Sequence, residues 1–488
     1  MTTEPDVPVV TDVTGGSHGM TVACEHAMAL ATDYDAAGDR MRDWAGRGGR
    51  VMRDGDLLES ALLSPLTFAE AEAAVLAATS GPDGVLVASV VWEADAVTIR
   101  VAVRATQLTD ELVARAWEGL DHQLGRLAGY TLATTAPVLV LSGAGVYLLW
   151  SQLPAETRAE LADQTLDELQ HWLDQHPEAV QHLANGGGGL LEGLWDGLTP
   201  LSPGGPLGVP LLVPDTESAA GLLAALYSDA HPVTAPTSLV VPGSDTPPAD
   251  LAGLLHHLAQ VSALATDHPE GEGTVEVQTI RSPDGSVRHV VYLPGTDDLA
   301  TTPWSQDGDV RDLGTNLLLV SGQGNAYQQG VLDAMQQAGI RAGEPVALVG
   351  HSQGGMVAAA IAAQSSGQGS PYSVTHVVTA GSPTAHLDGF PPGSHVLSLE
   401  NHGDVVPLLD GEDNPDSAEQ VTVRFDDRLA SIVGDHDLDQ YVEGAVVLQG
   451  SDHASVQEQL ASLAAAGFVG PATGQEVYSQ VFQITRDP

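Results

Sequence analysis

Residues 345–358, PVALVGHSQGGMVA, constrain the fold more tightly than any other part of the chain. Val346, Ala347, Leu348 and Val349 form an apolar run of strand type, and Met356 to Ala363 is Ala-rich and helical in pattern. Between them stands Ser352, fenced by Gly350, Gly354 and Gly355. A strand that turns at once into a helix brings two backbones together, which demands small flanking residues. A serine at such a turn is exposed above the strand ends. The helix N-terminus then directs free N–H groups and the positive end of its dipole at the same place.

The surrounding pattern extends this unit into a sheet. Thr274 to Ile280 and Arg288 to Leu293 are β-rich and flank SPDGS, a hairpin signal. Downstream, helices are expected over 324–339, 437–447 and 453–466, and strands over 375–380, 395–399 and 421–426. Strands alternating with helices imply a mainly parallel sheet with helices on both faces.

The chain has 488 residues, enough for two or three domains. Residues 1–20 are expected to be a flexible N-terminus, 21–232 a helical domain, 233–249 a linker and 250–488 the α/β domain. Leu108 to Leu127 and Ala162 to Leu173 show helical spacing in the first half. Between Arg126 and Glu156 no residue is charged, and the centre reads PVLVLSGAGVYLLW. Residues 127–155 are read either as a buried apolar hairpin or as a membrane-inserted segment, because a span needs about 20 apolar residues. Pro137, Gly143 and Gly145 favour the hairpin, broken into two helical pieces.

Lys+Arg number 17 against 64 Asp+Glu, a net charge of −47. The chain has no lysine, so all the basic residues are arginine. Such a surface excludes electrostatic recognition of nucleic acid. The single cysteine, Cys24, excludes a disulfide framework and a multi-cysteine zinc site. The N-terminus, MTTEPDVPVVTD, has neither a basic n-region nor an apolar h-region, so no standard signal peptide is expected.

Gly350-His351-Ser352-Gln353-Gly354 fits G-x-S-x-G, the nucleophile elbow of α/β-hydrolases. This implies a reactive Ser352, an acid and a histidine, in that chain order. The run HVLSLEN leads into HGDVVP, which places Asp404 at a strand's C-terminal end, where such sheets keep their sites. Asp410 and Asp413 are rival acids. For the base, His436 in GDHDLDQYVEGA is favoured, and His453 in GSDHASVQEQL is the alternative. His351 and His402 are expected beside the site. The oxyanion hole is expected from the N–H groups of Thr296, in VVYLPGTDD, and Gln353. No metal or organic cofactor is required.

PGT after a strand, GHSQGG and GDVVP, in that order, resemble the class 3 (fungal-type) lipases over roughly residues 270–468. That resemblance implies an α/β-hydrolase fold, a Ser352–His436–Asp404 triad and hydrolysis of carboxylic esters, with lipids as the substrate class. His436 and Tyr441 resemble the histidine loop of related bacterial hydrolases. The separation of Asp404 from His436 is shorter than in the fungal enzymes, which keeps His453 open. Thioesterase or acyltransferase activity is the alternative chemistry. Trp-x-Gly at Trp44, Trp117 and Trp195 is similar to the helical leaders of actinobacterial type VII secretion substrates. This implies a secretion-linked or envelope protein, in which the hydrolase fold could serve only as a scaffold. Membrane contact is expected through 127–155 if that segment inserts.

Overall fold

The computed structural model describes residues 8–104 and 216–486, apart from 52, 81–83, 94, 101–102, 269, 299–300, 302, 304, 366–370, 388, 405, 429–433 and 472. The expectations for 108–127, 127–155 and 162–173, and those for Trp117 and Trp195, lie outside the described residues.

The described chain divides into two compact units. The larger, residues 8–19 and 216–486, is built on a mixed sheet. Its strands are β1 (Val9–Gly15), β2 (Pro232–Pro236), β3 (Thr274–Arg281), β4 (Val287–Leu293), β5 (Pro345–His351), β6 (Ser373–Ala380), β7 (His395–Asn401), β8 (Gln420–Asp426) and β9 (Glu476–Arg486). Their spatial order is β1-β8-β7-β6-β5-β4-β3-β9-β2. Strands β4 to β8 are mutually parallel. The flanking strands β1, β3, β9 and β2 pair antiparallel.

Strand β5 shows why its sequence is apolar throughout. Side chains alternate across a strand, so both faces must be covered. Val346 and Leu348 join one core cluster, while Ala347 and Val349 join the other. The first cluster packs under α6 (Leu313–Val320), α7 (Ala326–Gln337) and α8 (Gln353–Gln364), through Leu317, Tyr327, Val331, Met356 and Ile361. The second packs under α5 (Leu251–Asp267), α9 (Leu438–Gln449) and α10 (Ala454–Ala466), through Leu254, Leu258, Tyr441, Leu448 and Leu463. Each fully buried side chain of this kind contributes about 1.5–3 kcal/mol.

Local signals fix the element ends. The SPDGS hairpin closes with Ser282 N–H to Ser286 O at 2.9 Å, joining β3 to β4. Asp250, Asp312 and Asn325 cap α5, α6 and α7 by accepting the N–H groups of Gly253, Thr315 and Gln328. Each such cap is worth about 1 kcal/mol.

Several boundaries differ from the sequence reading. Residues 1–20 are not loose throughout, because β1 adds to the sheet edge along β8 from Val9 to Gly15. VVTDVT is rich in β-branched residues, and an open strand edge supplies its hydrogen-bonding partners. The expected linker at 233–249 begins with a strand, since β2 pairs with β9 from Pro232 to Pro236. Proline at both ends suits a short edge strand. Helix α4 (Thr216–Ala224), expected within the helical domain, contributes Ala220 and Ala224 to the sheet unit's core.

The smaller unit, described within residues 20–104, is helical, with α1 (Met20–Val51), α2 (Gly55–Leu63) and α3 (Pro65–Ser80). Arg100 bonds Asp35 at 2.6 Å, Arg42 pairs with Asp39 and Glu93, and Tyr34 packs on Trp92. Helix α3 buries no residue, and Leu63 and Leu66 are exposed. Among the described residues, one helical stretch, Pro65–Arg100, is long and apolar enough to cross a membrane by length and composition.

Candidate active site

The C-terminal ends of β4, β5, β6 and β7 converge on Ser352. This serine occupies the residue between β5 and α8 with φ 52° and ψ −124°. A non-glycine residue at positive φ costs about 1–3 kcal/mol, and the surrounding structure must enforce it. Ser352 N–H bonds Ala380 O at 2.9 Å, and Ser352 O accepts from Gly355 N–H at 3.0 Å. Helix α8 behind it is almost wholly buried. A Cβ on Gly354 would fall 1.9 Å from Leu293 O, so only glycine lets the helix approach β4 so closely. The Ser352 side chain makes no capping bond to its helix, which leaves Oγ uncommitted there.

Asp404 lies on the loop after β7 and is buried. Its Oδ2 lies 2.6 Å from His436 Nδ1 and also accepts the Tyr441 phenol at 2.5 Å. Its Oδ1 accepts Val406 N–H at 2.9 Å. Three bonds from two directions fix this carboxylate and hold the His436 ring with Nε2 on the far side. Tyr441 sits on α9 and also accepts Asn401 N–H at 3.2 Å, so it ties β7 to the histidine loop. Burial first, then the neighbouring Asp404 charge, raises the Tyr441 phenol well above its ordinary value, keeping it a neutral donor.

His436 and Ser352 share neighbours. The rings of His351 and His436 pack at a tilt of 32° with centroids 4.6 Å apart, and His351 Nε2 lies 3.0 Å from His436 O. Burial, then repulsion from His436, pushes His351 down to about 3. A neutral His351 donates from Nε2 to that carbonyl without adding a charge beside His436. Gly381 follows the Ala380 carbonyl that holds Ser352, and it has φ 59°. A Cβ there would lie 2.9 Å from Asp404 Oδ2 and 3.1 Å from His436 Cε1. Gly381 thus separates the carbonyl that holds Ser352 from the Asp404–His436 pair.

The loop after β4 faces the serine. A Cβ at Gly295 would lie 2.9 Å from Ser352 Cβ. The carbonyls of Pro294 and Gly295 turn inward, accepting from Tyr327 OH at 3.0 Å and Arg311 Nη1 at 3.3 Å. Thr296 Oγ1 is held by Asn316 Nδ2 at 3.0 Å. Gln353 is the first residue of α8, where main-chain N–H groups have no intrahelical partner. Its side chain is tied down separately, with Nε2 donating to Asp312 O at 2.8 Å.

The structure thus places Ser352, Asp404, His436, Thr296 and Gln353 on one edge. The rivals lie elsewhere. Asp410 accepts Ala385 N–H and faces His386, and Asp413 pairs with Arg424 at 2.5 Å on the surface. His453 is exposed at the start of α10. His402, expected beside the site rather than as a base, is exposed on the loop that carries Asp404. Sequence reasoning missed the hold of Tyr441 on the acid, although the spacing of His436 and Tyr441 carried its signal. It also missed Arg311, for which no motif exists. Chemically, a carboxylate-oriented imidazole beside an uncommitted serine hydroxyl can activate that hydroxyl for attack on a carbonyl. No family model matches the chain, and no curated protein or solved structure matches it either.

Proposed function

We propose that this chain is a serine hydrolase of carboxylic esters, with an α/β-hydrolase fold over its larger unit and lipids as the favoured substrate class. The observation that carries the reading is the His436–Asp404 bond at 2.6 Å on the sheet edge that holds Ser352 at φ 52°. Buried structural histidines are common, but the reading explains three features together. It gives a role to the strained serine, to the carboxylate on Nδ1 and to the inward-turned carbonyls of the Pro294–Gly295 loop.

In the proposed mechanism, Ser352 Oγ attacks the acyl carbon while His436 Nε2 takes its proton. Asp404 holds the ring in the Nδ1–H tautomer and stabilises the imidazolium. Thr296 N–H and Gln353 N–H receive the negative oxygen of the tetrahedral intermediate. The alkoxide leaves with the proton returned by His436, giving the acyl-enzyme. Water then repeats the sequence and releases the acid.

Substitution kinetics on p-nitrophenyl butyrate test the reading. Ser352→Ala and His436→Ala should each lower kcat by about 10⁴-fold or more, because triad members act as a unit. His453→Ala should stay within about twofold, since surface changes are usually near neutral. Activity that survives Ser352→Ala in purified protein, or a ranking with His453 above His436, would sink the assignment.

A further inference from the structure

The buried Arg311 reaches the candidate site only through the backbone of another loop. Its guanidinium is wholly enclosed. Nη2 lies 2.5 Å from Asp297 Oδ2, and Nη1 donates to Gly295 O at 3.3 Å. The contact runs both ways along the chain, since Arg311 O accepts Asp297 N–H at 2.8 Å. Arg311 Nε finds no partner among the described residues. A buried ion pair with an unused donor is a weak source of stability, because apolar replacements of both partners are often neutral or stabilising.

The guanidinium does something an apolar pair could not. In a trans peptide, C=O and N–H point in opposite directions. Gripping Gly295 O from inside the protein therefore turns the N–H of the same peptide, that of Thr296, outward. Gly295 itself lies against Ser352, where an added Cβ would fall 2.9 Å from the serine Cβ. A charged donor on the carbonyl also polarises the peptide and strengthens its N–H as a donor. The next residue completes the arrangement, because Asp312 O accepts Gln353 Nε2. One short segment thus braces both residues of the proposed oxyanion hole. That segment is pinned in turn, with Arg486 N–H on Gly308 O at 2.7 Å and the Arg486 fork on Asp312 at 2.8 and 3.0 Å.

We infer that Arg311 is a positioning residue for ester hydrolysis, aiming the Thr296 N–H at the reacting oxygen through its hold on the Gly295 carbonyl. The inference rests on the serine hydrolase reading.

The experiment measures two things on the full chain: kinetics with p-nitrophenyl butyrate, and ¹⁹F NMR of the hemiketal formed with a short alkyl trifluoromethyl ketone. The hemiketal oxygen reports the hole directly, through the pH at which it ionises. Arg311→Met strands the Asp297 carboxylate and risks unfolding, so Arg311→Gln/Asp297→Asn is the principal variant. The amide that replaces the Asp297 carboxylate still offers an oxygen to Gly273 N–H, which Asp297 accepts at 3.0 Å in the unaltered chain. The folded double variant should lose about 10- to 100-fold in kcat, somewhat less than deletion of a hole donor, with KM within about twofold. Its hemiketal should ionise at higher pH than that of the unaltered chain. Wild-type kcat and an unshifted hemiketal in the folded double variant would overturn the role of Arg311 while leaving the hydrolase reading standing. An unaltered chain that forms no hemiketal would overturn the hydrolase reading itself, and the role of Arg311 with it.

Discussion

Ser352 shows how far a single residue can be read from sequence. Its glycine fence demanded a tight strand-to-helix turn, and the structure places it there at positive φ. Asp404 was legible because GDVVP follows an apolar strand, and His436 because of its place before a helix. What brings His436, and not His453, against Asp404 was not in the sequence. The choice depends on which loop folds back onto the strand ends, and that is set by Tyr441 holding Asp404 and by His351 packing on His436. Tyr441→Phe tests this hold without touching the triad. It removes one of three bonds to the carboxylate, and a hydrogen bond to a charged group is worth about 1.5–3 kcal/mol. Ester turnover should fall by about 10-fold or more, and thermal stability should drop in a melting experiment. Unchanged kcat in the phenylalanine variant would mean that Asp404 is oriented without the phenol.

At the scale of elements, the central strands and their helices were legible because each carries its own period and turn chemistry. The edge strands were not. VVTDVT and PVTAP are short, and only the open edges of β8 and β9 decide that they pair. The loops between strands also carry buried acids whose titration follows from packing. Burial, then Asp427 and Asp404, raises Asp435 from 3.8 to about 8. Burial raises Glu400 to about 7, against the opposing pull of Arg424, and burial raises Asp309 to about 6. A folded-state value above the unfolded one means that the native chain holds the proton more tightly. The associated stability is present at low pH and is lost as pH rises through the folded value. His351 and His376 act oppositely, since burial pushes them to about 3 and about 4 from 6.5. Their contribution is complete above 6.5 and disappears in acid. Of these five groups, Glu400 and Asp435 are the ones that still titrate above pH 6.5, so the melting temperature should fall between about pH 6.5 and 8.5. Asp435→Asn should flatten part of that fall. A melting temperature that is level or rises over this range would contradict the assignment of buried, protonated carboxyls.

At the scale of the whole molecule, net charge dominates. With 64 acidic residues against 17 arginines, like charges repel across the folded surface. Salt screens exposed charges over about 10 Å at 0.1 M and about 3 Å at 1 M. The melting temperature should therefore rise as NaCl is raised from about 0.05 to 1 M, and a fall would show that attractive surface pairs outweigh the repulsion. The same acidity says nothing about the proposed reaction, which would depend on a few residues held at the parallel strand ends. Ser352 is the proposed nucleophile there. Its most direct test is reaction of the folded chain with a fluorophosphonate probe, followed by peptide mass mapping of the adduct. A single stoichiometric adduct on Ser352 is expected, absent after heat denaturation and absent in Ser352→Ala. An unlabelled Ser352 in the native protein, or an adduct mapped to any other residue, would contradict that role.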